Sequence, residues 1–174
     1  MPTMLTHPAV PLAIAAALGQ KVIGPRLLLA GVAGSIVPDL DVIAFRFGIA
    51  YGDIAGHRGI THSLAFAAVL GLIALAAARP LQCSRSAAFW FVTVCTASHG
   101  LLDMLTNGGH GIALLWPMTD ERYFFPLQVI EVSPIGIRPL LSERGLRVLS
   151  SELVCVWLPA LAVAATAYAL RRRR

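Results

Sequence analysis

Charge is scarce in this chain. Only 13% of its 174 residues are Asp, Glu, Lys or Arg, about half of the roughly 25% usual in soluble domains. With 57% hydrophobic residues and a mean hydropathy of +0.74, that deficit points to a bilayer rather than to a very large water-soluble core. Cysteine is also sparse. Cys83, Cys95 and Cys155 show no CxxC spacing, and two fall within apolar stretches. This argues against a disulfide framework and against a thiolate zinc site. No Lys or Arg precedes Lys21, so the basic start of a cleaved signal peptide is missing and residue 1 onward is expected to stay in the fold. No phosphate-cradling glycine loop and no serine nucleophile elbow occur. The net charge is +5, yet Arg171 to Arg174 alone supply four positive charges. The rest is nearly balanced, so the basic pI makes no case for a nucleic-acid partner. Repeats and low-complexity linkers are absent, and the chain reads as one domain, 1–174.

Apolar stretches dominate what is present. Pro8 to Gly19 and Leu27 to Val37 read as two short helices joined by a turn containing Lys21, Gly24, Pro25 and Arg26. Each is shorter than the ~20 residues a simple span needs, so together they suggest a hairpin. Asp39 to Ile60 reads as a polar excursion. Thr61 to Ala78 and Ser86 to Thr106 read as full spans, the second ended by Asn107-Gly108-Gly109. Residues 107–152 form an extramembrane cap. Within it, Tyr123 to Ile137 is rich in β-branched and aromatic residues, which suggests a short hairpin, and Ser142 to Ser151 suggests an amphipathic helix. Leu153 to Leu170 is the last span. The expected fold is an all-α membrane protein of about five apolar helices with an irregular, partly β outer cap.

The positive-inside rule then orients the chain. Lys21 with Arg26, Arg79 with Arg85, and Arg171 to Arg174 mark three alternate connections as cytoplasmic. The opposite helix ends carry His7, Asp39, Asp41, His57, His62, His99 and Asp103. Helix assignment did not presuppose that convergence. Six other arginines would also lie outside, but in longer segments mixed with acids, where the rule discriminates less.

These seven residues suit a metal. His99 and Asp103 stand at i and i+4 and share a helix face. His57 and His62 flank the mouth of a span, with Thr61 as its expected N-cap, and a curved loop aims both at one point. Asp39 and Asp41, read as an extended pair, point the same way. Each feature also has a plainer reading: a polar pair between helices, a surface histidine, a helix-ending turn. Ionisable groups beside or inside spans favour the functional one. Seven donors exceed one tetrahedral shell, so either two ions bind, or one ion with supporting partners. Imidazole and carboxylate favour zinc, with manganese and iron as alternatives. Water on such an ion becomes a nucleophile near neutral pH. Asp39 or Asp41 would serve as general base, and Arg58 would bind an anionic group or stabilise developing charge.

The segments Thr6-His7, Pro38-Asp39-Leu40-Asp41, His57-Arg58-Gly59-Ile60-Thr61-His62-Ser63 and Ser98-His99-Gly100-Leu101-Leu102-Asp103 resemble the YdjM-like family. So do Leu115-Trp116-Pro117, Phe125-Pro126 and Ser133-Pro134-Ile135-Gly136 further on. The resemblance runs from His7 to about Gly136. It implies a multi-pass protein of the bacterial inner membrane, a metal-dependent hydrolase by the family's description, LexA-regulated in some members. It implies no substrate. Position near the headgroups suggests an ester or phosphoester of a lipid or other amphiphile, with membrane lipids as partners. Two competitors remain at this level. An ion or metal transporter would spread its polar groups through the membrane depth. A structural membrane protein would use its histidines only to hold the cap.

Overall fold

The computed structural model describes residues 1–134 and 140–173. Among the described residues, five α-helical elements alternate in direction. Helix α1 is Ala9–Leu18. Helix α2 is Pro25–Ile36, with proline in the first turn, where its missing N–H costs nothing. It continues as a tighter 3-10 helix, Val37–Phe47. Pro38 sits at that junction and cannot donate to the preceding turn. Gly48, at φ 76°, ends the segment in the left-handed conformation. A short 3-10 turn, Ile60–His62, leads into α3, Leu64–Ala76. Helix α4 is Arg85–Met104, capped by the Ser84 hydroxyl on the Ala87 N–H. The last helix, α5, spans Glu143–Arg172. It loosens to a π turn at Leu153–Trp157. Pro159 follows in the next turn and has no N–H for the Cys155 carbonyl.

The helical part of the expectation holds, and four details change. Of the five helices, Pro25–Phe47 and Glu143–Arg172 are long and apolar enough to cross a membrane by length and composition. Helices α1 and α3 are shorter apolar helices. Helix α4 is long, but Ser, Thr, His and Asp in its second half lower its apolar character. The expected β hairpin in the cap is not present. Among the described residues only two isolated bridges occur, Thr106 to Ile130 and Ile112 to Tyr123. Pro117, Pro126 and Pro134 interrupt any ladder between them. Residues 135–139 of that stretch lie outside the described residues. Asp39 to Phe47 is helical rather than an extended excursion, and the cap of α3 is Ser63, whose hydroxyl accepts from the Phe66 N–H, not Thr61.

Helix α4 is central, packing along α2 on one side and α3 on the other, while α1 packs along α5. Gly100 makes a close approach possible. A Cβ there would stand 2.9 Å from the His62 carbonyl oxygen and 2.8 Å from Ile112 Cδ1. One apolar cluster, including Leu27, Phe91, Val92 and Cys95, fills the bundle away from the polar residues. A smaller one, Ala9, Leu102, Ile130 and Val156, closes the other end under the cap. The outward faces stay apolar: Leu158, Leu161, Val163 and Leu170 of α5 are all exposed. Water would not tolerate so large an apolar face, whereas lipid does.

The first residues are tied down at the capped end. Glu152 is buried and accepts from the Thr3 N–H, the Thr3 hydroxyl at 2.7 Å and the Thr6 hydroxyl at 2.6 Å. Trp157 donates its indole N–H to Thr6. This clamp delivers His7 to the bundle. Replacing Glu152 with Ala leaves three buried donors without acceptors, a loss of about 3 kcal/mol or more. Thermal unfolding of Glu152→Ala in detergent is expected to show a clear drop in midpoint, and an unchanged midpoint would contradict the clamp.

A buried histidine and aspartate centre

Four short segments meet below the cap. The segment before α1 brings His7, the 3-10 extension of α2 brings Asp39 and Asp41, the loop before α3 brings His57 and His62, and the last turns of α4 bring His99 and Asp103. All seven sequence-predicted ligands converge. His7, Asp39, His57, His62, His99 and Asp103 are each at most 4% exposed.

Hydrogen bonds fix the imidazoles. His99 Nδ1 lies 2.8 Å from the Ser35 carbonyl oxygen. A carbonyl only accepts, so Nδ1 carries the proton and Nε2 presents a lone pair. Thr61 donates its hydroxyl to Asp41 Oδ2 at 2.7 Å. His62 Nδ1 stands 3.0 Å from that hydroxyl oxygen and 3.3 Å from Asp41 Oδ2, so it too is a donor there. The Nε2 atoms of His62 and His99 then face each other at 3.0 Å. Asp39 Oδ1 is 3.4 Å from His99 Nε2 and 3.9 Å from His62 Nε2, and Asp103 Oδ2 is 3.4 Å from His62 Nε2. Four donor atoms are thus linked by contacts of 3.0–3.9 Å.

The second oxygens of the same carboxylates turn toward His7. Asp39 Oδ2 lies 3.8 Å and Asp103 Oδ1 3.9 Å from His7 Nε2. The His7 ring stacks on His99 with centroids 3.7 Å apart. Burial, and after it the neighbouring His99, pushes the His7 imidazole down to about 3. It is therefore neutral at physiological pH, the form that ligates metals.

Asp41 has a different role from Asp39. Its Oδ1 is 2.6 Å from His57 Nδ1, and its Oδ2 also accepts from the Arg58 backbone N–H at 3.2 Å. As part of a helix, the two aspartates point apart rather than together. Asp41 orients His57 and His62 from behind, while Asp39 reaches the centre.

The donor set passes a test of fit for a divalent metal. Both oxygens of Asp39, both of Asp103 and both ring nitrogens of His7 are buried without a hydrogen-bond partner. Buried polar groups are normally satisfied. A single shared proton could satisfy one pair of these atoms but not six. Ligands in a tetrahedral zinc shell are separated by roughly 3.3 Å, given bonds of 2.0–2.1 Å, and the observed separations of 3.0–3.9 Å bracket that value. Charge agrees as well. Three aspartates against one arginine leave a negative surplus in a closed site, even with the His62 imidazole pushed up to about 9 against its burial by hydrogen bonds to Asp103 and Asp41, and buried charge must be compensated. The two triads His7, His99, Asp103 and Asp39, His57, His62 each bring ligand atoms within 4.8 Å of one another.

The arginines build the frame. Arg58 is fully buried at φ 66°, an unusual conformation for a residue other than glycine. Its Nε lies 3.2 Å from Asp103 Oδ2. One terminal nitrogen donates to the Gly108 and His110 carbonyls and the other to the Thr106 hydroxyl. Arg122, which the sequence reading passed over, donates to the carbonyls of His57, Arg58, Gly111, Gly52 and Asp53. Nothing in its local sequence separates it from a solvated loop arginine. Ser35 and Thr61 were equally silent, since one acts through its backbone and the other is an ordinary helix-entry threonine.

Fold and site together define an all-helical membrane protein with a buried His/Asp cluster able to hold a metal ion. The chain belongs to the YdjM inner membrane protein family, whose profile matches residues 1–173. It is 49% identical over 160 residues to the Escherichia coli K12 inner membrane protein YbcI, an alignment covering 91% of this chain and 92% of that protein. No solved structure matches it significantly. Family and relative together assign it to the inner membrane.

Removing the Arg58 side chain leaves Asp103 as an uncompensated buried charge, at a cost of about 3–5 kcal/mol. Arg58→Leu is expected to destabilise strongly. The double variant Arg58→Leu/Asp103→Leu should lose less than the sum of the two single variants, which a double-mutant cycle by thermal unfolding reads directly.

Proposed function

We propose that the protein is a membrane-bound, metal-dependent hydrolase acting on an ester or phosphoester of an amphiphile. The observation that carries this reading is the set of unpartnered carboxylate oxygens and imidazole lone pairs around one buried point. His62, His99, Asp39 and Asp103 would hold an ion, zinc by donor chemistry, with manganese or iron as alternatives. His7 and the outer carboxylate oxygens would serve a second one. A bound metal would supply Lewis acidity and an activated water.

The chain's own residues divide the remaining work. Asp41 holds His57 and His62 in the tautomers that present Nε2, the role a carboxylate plays behind a metal-bound histidine. Asp39 is the general base wherever it is not a ligand. Arg58 fixes Asp103 and offsets one negative charge, while its terminal nitrogens secure the 106–110 loop. An anionic substrate group would therefore meet the guanidinium through Asp103 rather than as a free cation. Clustering of the ionisable groups at one end of the bundle favours a site opening near the headgroups over an ion path through the membrane. By the positive-inside rule the basic connections favour the opposite end for the cytoplasm, which supports a multi-pass chain with the site on the far side.

Metal analysis of detergent-purified protein tests the reading. Stoichiometric zinc, manganese or iron is expected in the wild type, falling by at least about tenfold in affinity in His62→Ala and Asp103→Ala. Folded wild type that takes up none of these ions on reconstitution would overturn it. Turnover of phospholipids and lipid phosphates should appear with metal and disappear with His62→Ala. Uniform inactivity across that panel would remove the lipid-ester substrate. Metal-dependent flux into liposomes without hydrolysis would instead support a transporter.

A further inference from the structure

The end of the bundle opposite the His/Asp centre is built differently. Three chain segments meet there: the turn after α1, the turn between α3 and α4, and the last turn of α5. Arg26 donates to the Pro80 carbonyl at 3.0 Å, and Arg171 donates to the Ala16 carbonyl at 2.7 Å, tying the three together. Among the described residues this collar carries Lys21, Arg26, Arg79, Arg85 and Arg171–Arg173. All nine acidic residues of the chain lie in the segments toward the other end. Among the described residues no Asp or Glu lies at the collar.

An apolar trench runs up to it. One cavity of about 540 Å³ lies between α1, α5 and Leu102 of α4, and another of about 240 Å³ lies between α1, the turn after it and the start of α4. Both are lined by Ile14 and Leu18, so they adjoin along α1. Leu102 of α4 and Val156 of α5 pack together in the smaller apolar cluster. The collar end of the groove is lined by Val22, Ala87 and Trp90. Lys21 directly precedes Val22, and Arg172 and Arg173 follow Arg171, whose guanidinium is bonded to the Ala16 carbonyl at the end of α1. Apolar walls thus lead to a mouth flanked by cations.

The geometry points to a bound anionic phospholipid, with an acyl chain in the trench and its phosphate on the Lys21 and Arg172–Arg173 side of the collar. Charge complementarity selects the headgroup. A trench open to lipid accepts any acyl chain, but seven uncompensated cations favour a negatively charged one. Arg171 is excluded from the headgroup set because its guanidinium caps α1. This site is distinct from the His/Asp centre and stands whether or not that centre hydrolyses anything.

Trp90 is 61% exposed at the trench and reports on its occupant. In full-length Trp116→Phe/Trp157→Phe protein it is the sole tryptophan. The experiment reads its quenching by brominated-chain phosphatidylglycerol against brominated-chain phosphatidylcholine in nanodiscs of mixed composition. Phosphatidylglycerol is expected to quench at a mole fraction at least about fivefold lower. Lys21→Ala/Arg172→Ala/Arg173→Ala should remove the difference while leaving quenching by phosphatidylcholine unchanged. Ile14→Phe, or Leu18→Phe if the first variant folds poorly, fills the trench with the collar intact and should also remove it. Equal quenching by the two lipids would overturn the proposal. So would a preference that survives the collar variant, or one that survives trench filling, which would mark a general surface attraction.

Discussion

Everything at the capped end depends on keeping three carboxylates inside an apolar bundle. Asp39, Asp41 and Asp103 bring three negative charges to a place that water barely reaches, and a single arginine faces them. Carboxylates in such a place need compensating charge and hydrogen bonds, or they would take up protons or expel the helices that carry them. Asp41 obtains hydrogen bonds in full, from His57, Thr61 and a backbone N–H. Asp103 obtains half, from Arg58. Asp39 obtains neither. That gradient assigns the work: the fully bonded aspartate orients, and the unbonded oxygens are left for a cation.

The frame around those charges is correspondingly over-determined. Arg58 is held in a left-handed conformation, and its carbonyl is fixed by Ala113 N–H and by Arg122. The N-terminal segment is clamped through Glu152, and Gly100 lets α4 touch the His62 loop. Each of these contacts lies outside the cluster, yet each sets the position of a residue within it. A ligand set built from four separate chain segments has no local rigidity, so its precision comes from such supports.

The two ends of the molecule divide the chemistry. One end gathers every acid, every histidine and the irregular cap. The other gathers unopposed cations on short turns, above grooves with wholly apolar walls. A membrane imposes this asymmetry. Backbone groups must be satisfied internally across the hydrocarbon, and ionisable side chains are pushed to the ends, where the surroundings decide which sign is stable.

Much of this was legible in the sequence, and for a physical reason. Low charge and long apolar stretches force helices in lipid, and alternating basic turns put all seven His and Asp candidates at one end before any contact was known. The i, i+4 spacing of His99 and Asp103 follows from helical periodicity alone. Other features depended on which segments touch. Asp39 and Asp41 looked like an extended pair because Pro38 signals a helix end, but the chain continued as a 3-10 helix and turned the two carboxylates to different partners. The cap looked partly β because its residues favour strands, yet strands need a partner in register, and its prolines leave only isolated bridges. The roles of Ser35 through its carbonyl and of Arg122 through five carbonyls are invisible in sequence. They arise from backbone atoms of distant segments, which no side-chain pattern encodes. Composition and periodicity determined the helices and the end at which the polar residues gather; tertiary packing decided which of them orient, which are left unpaired, and therefore where a cation would be held.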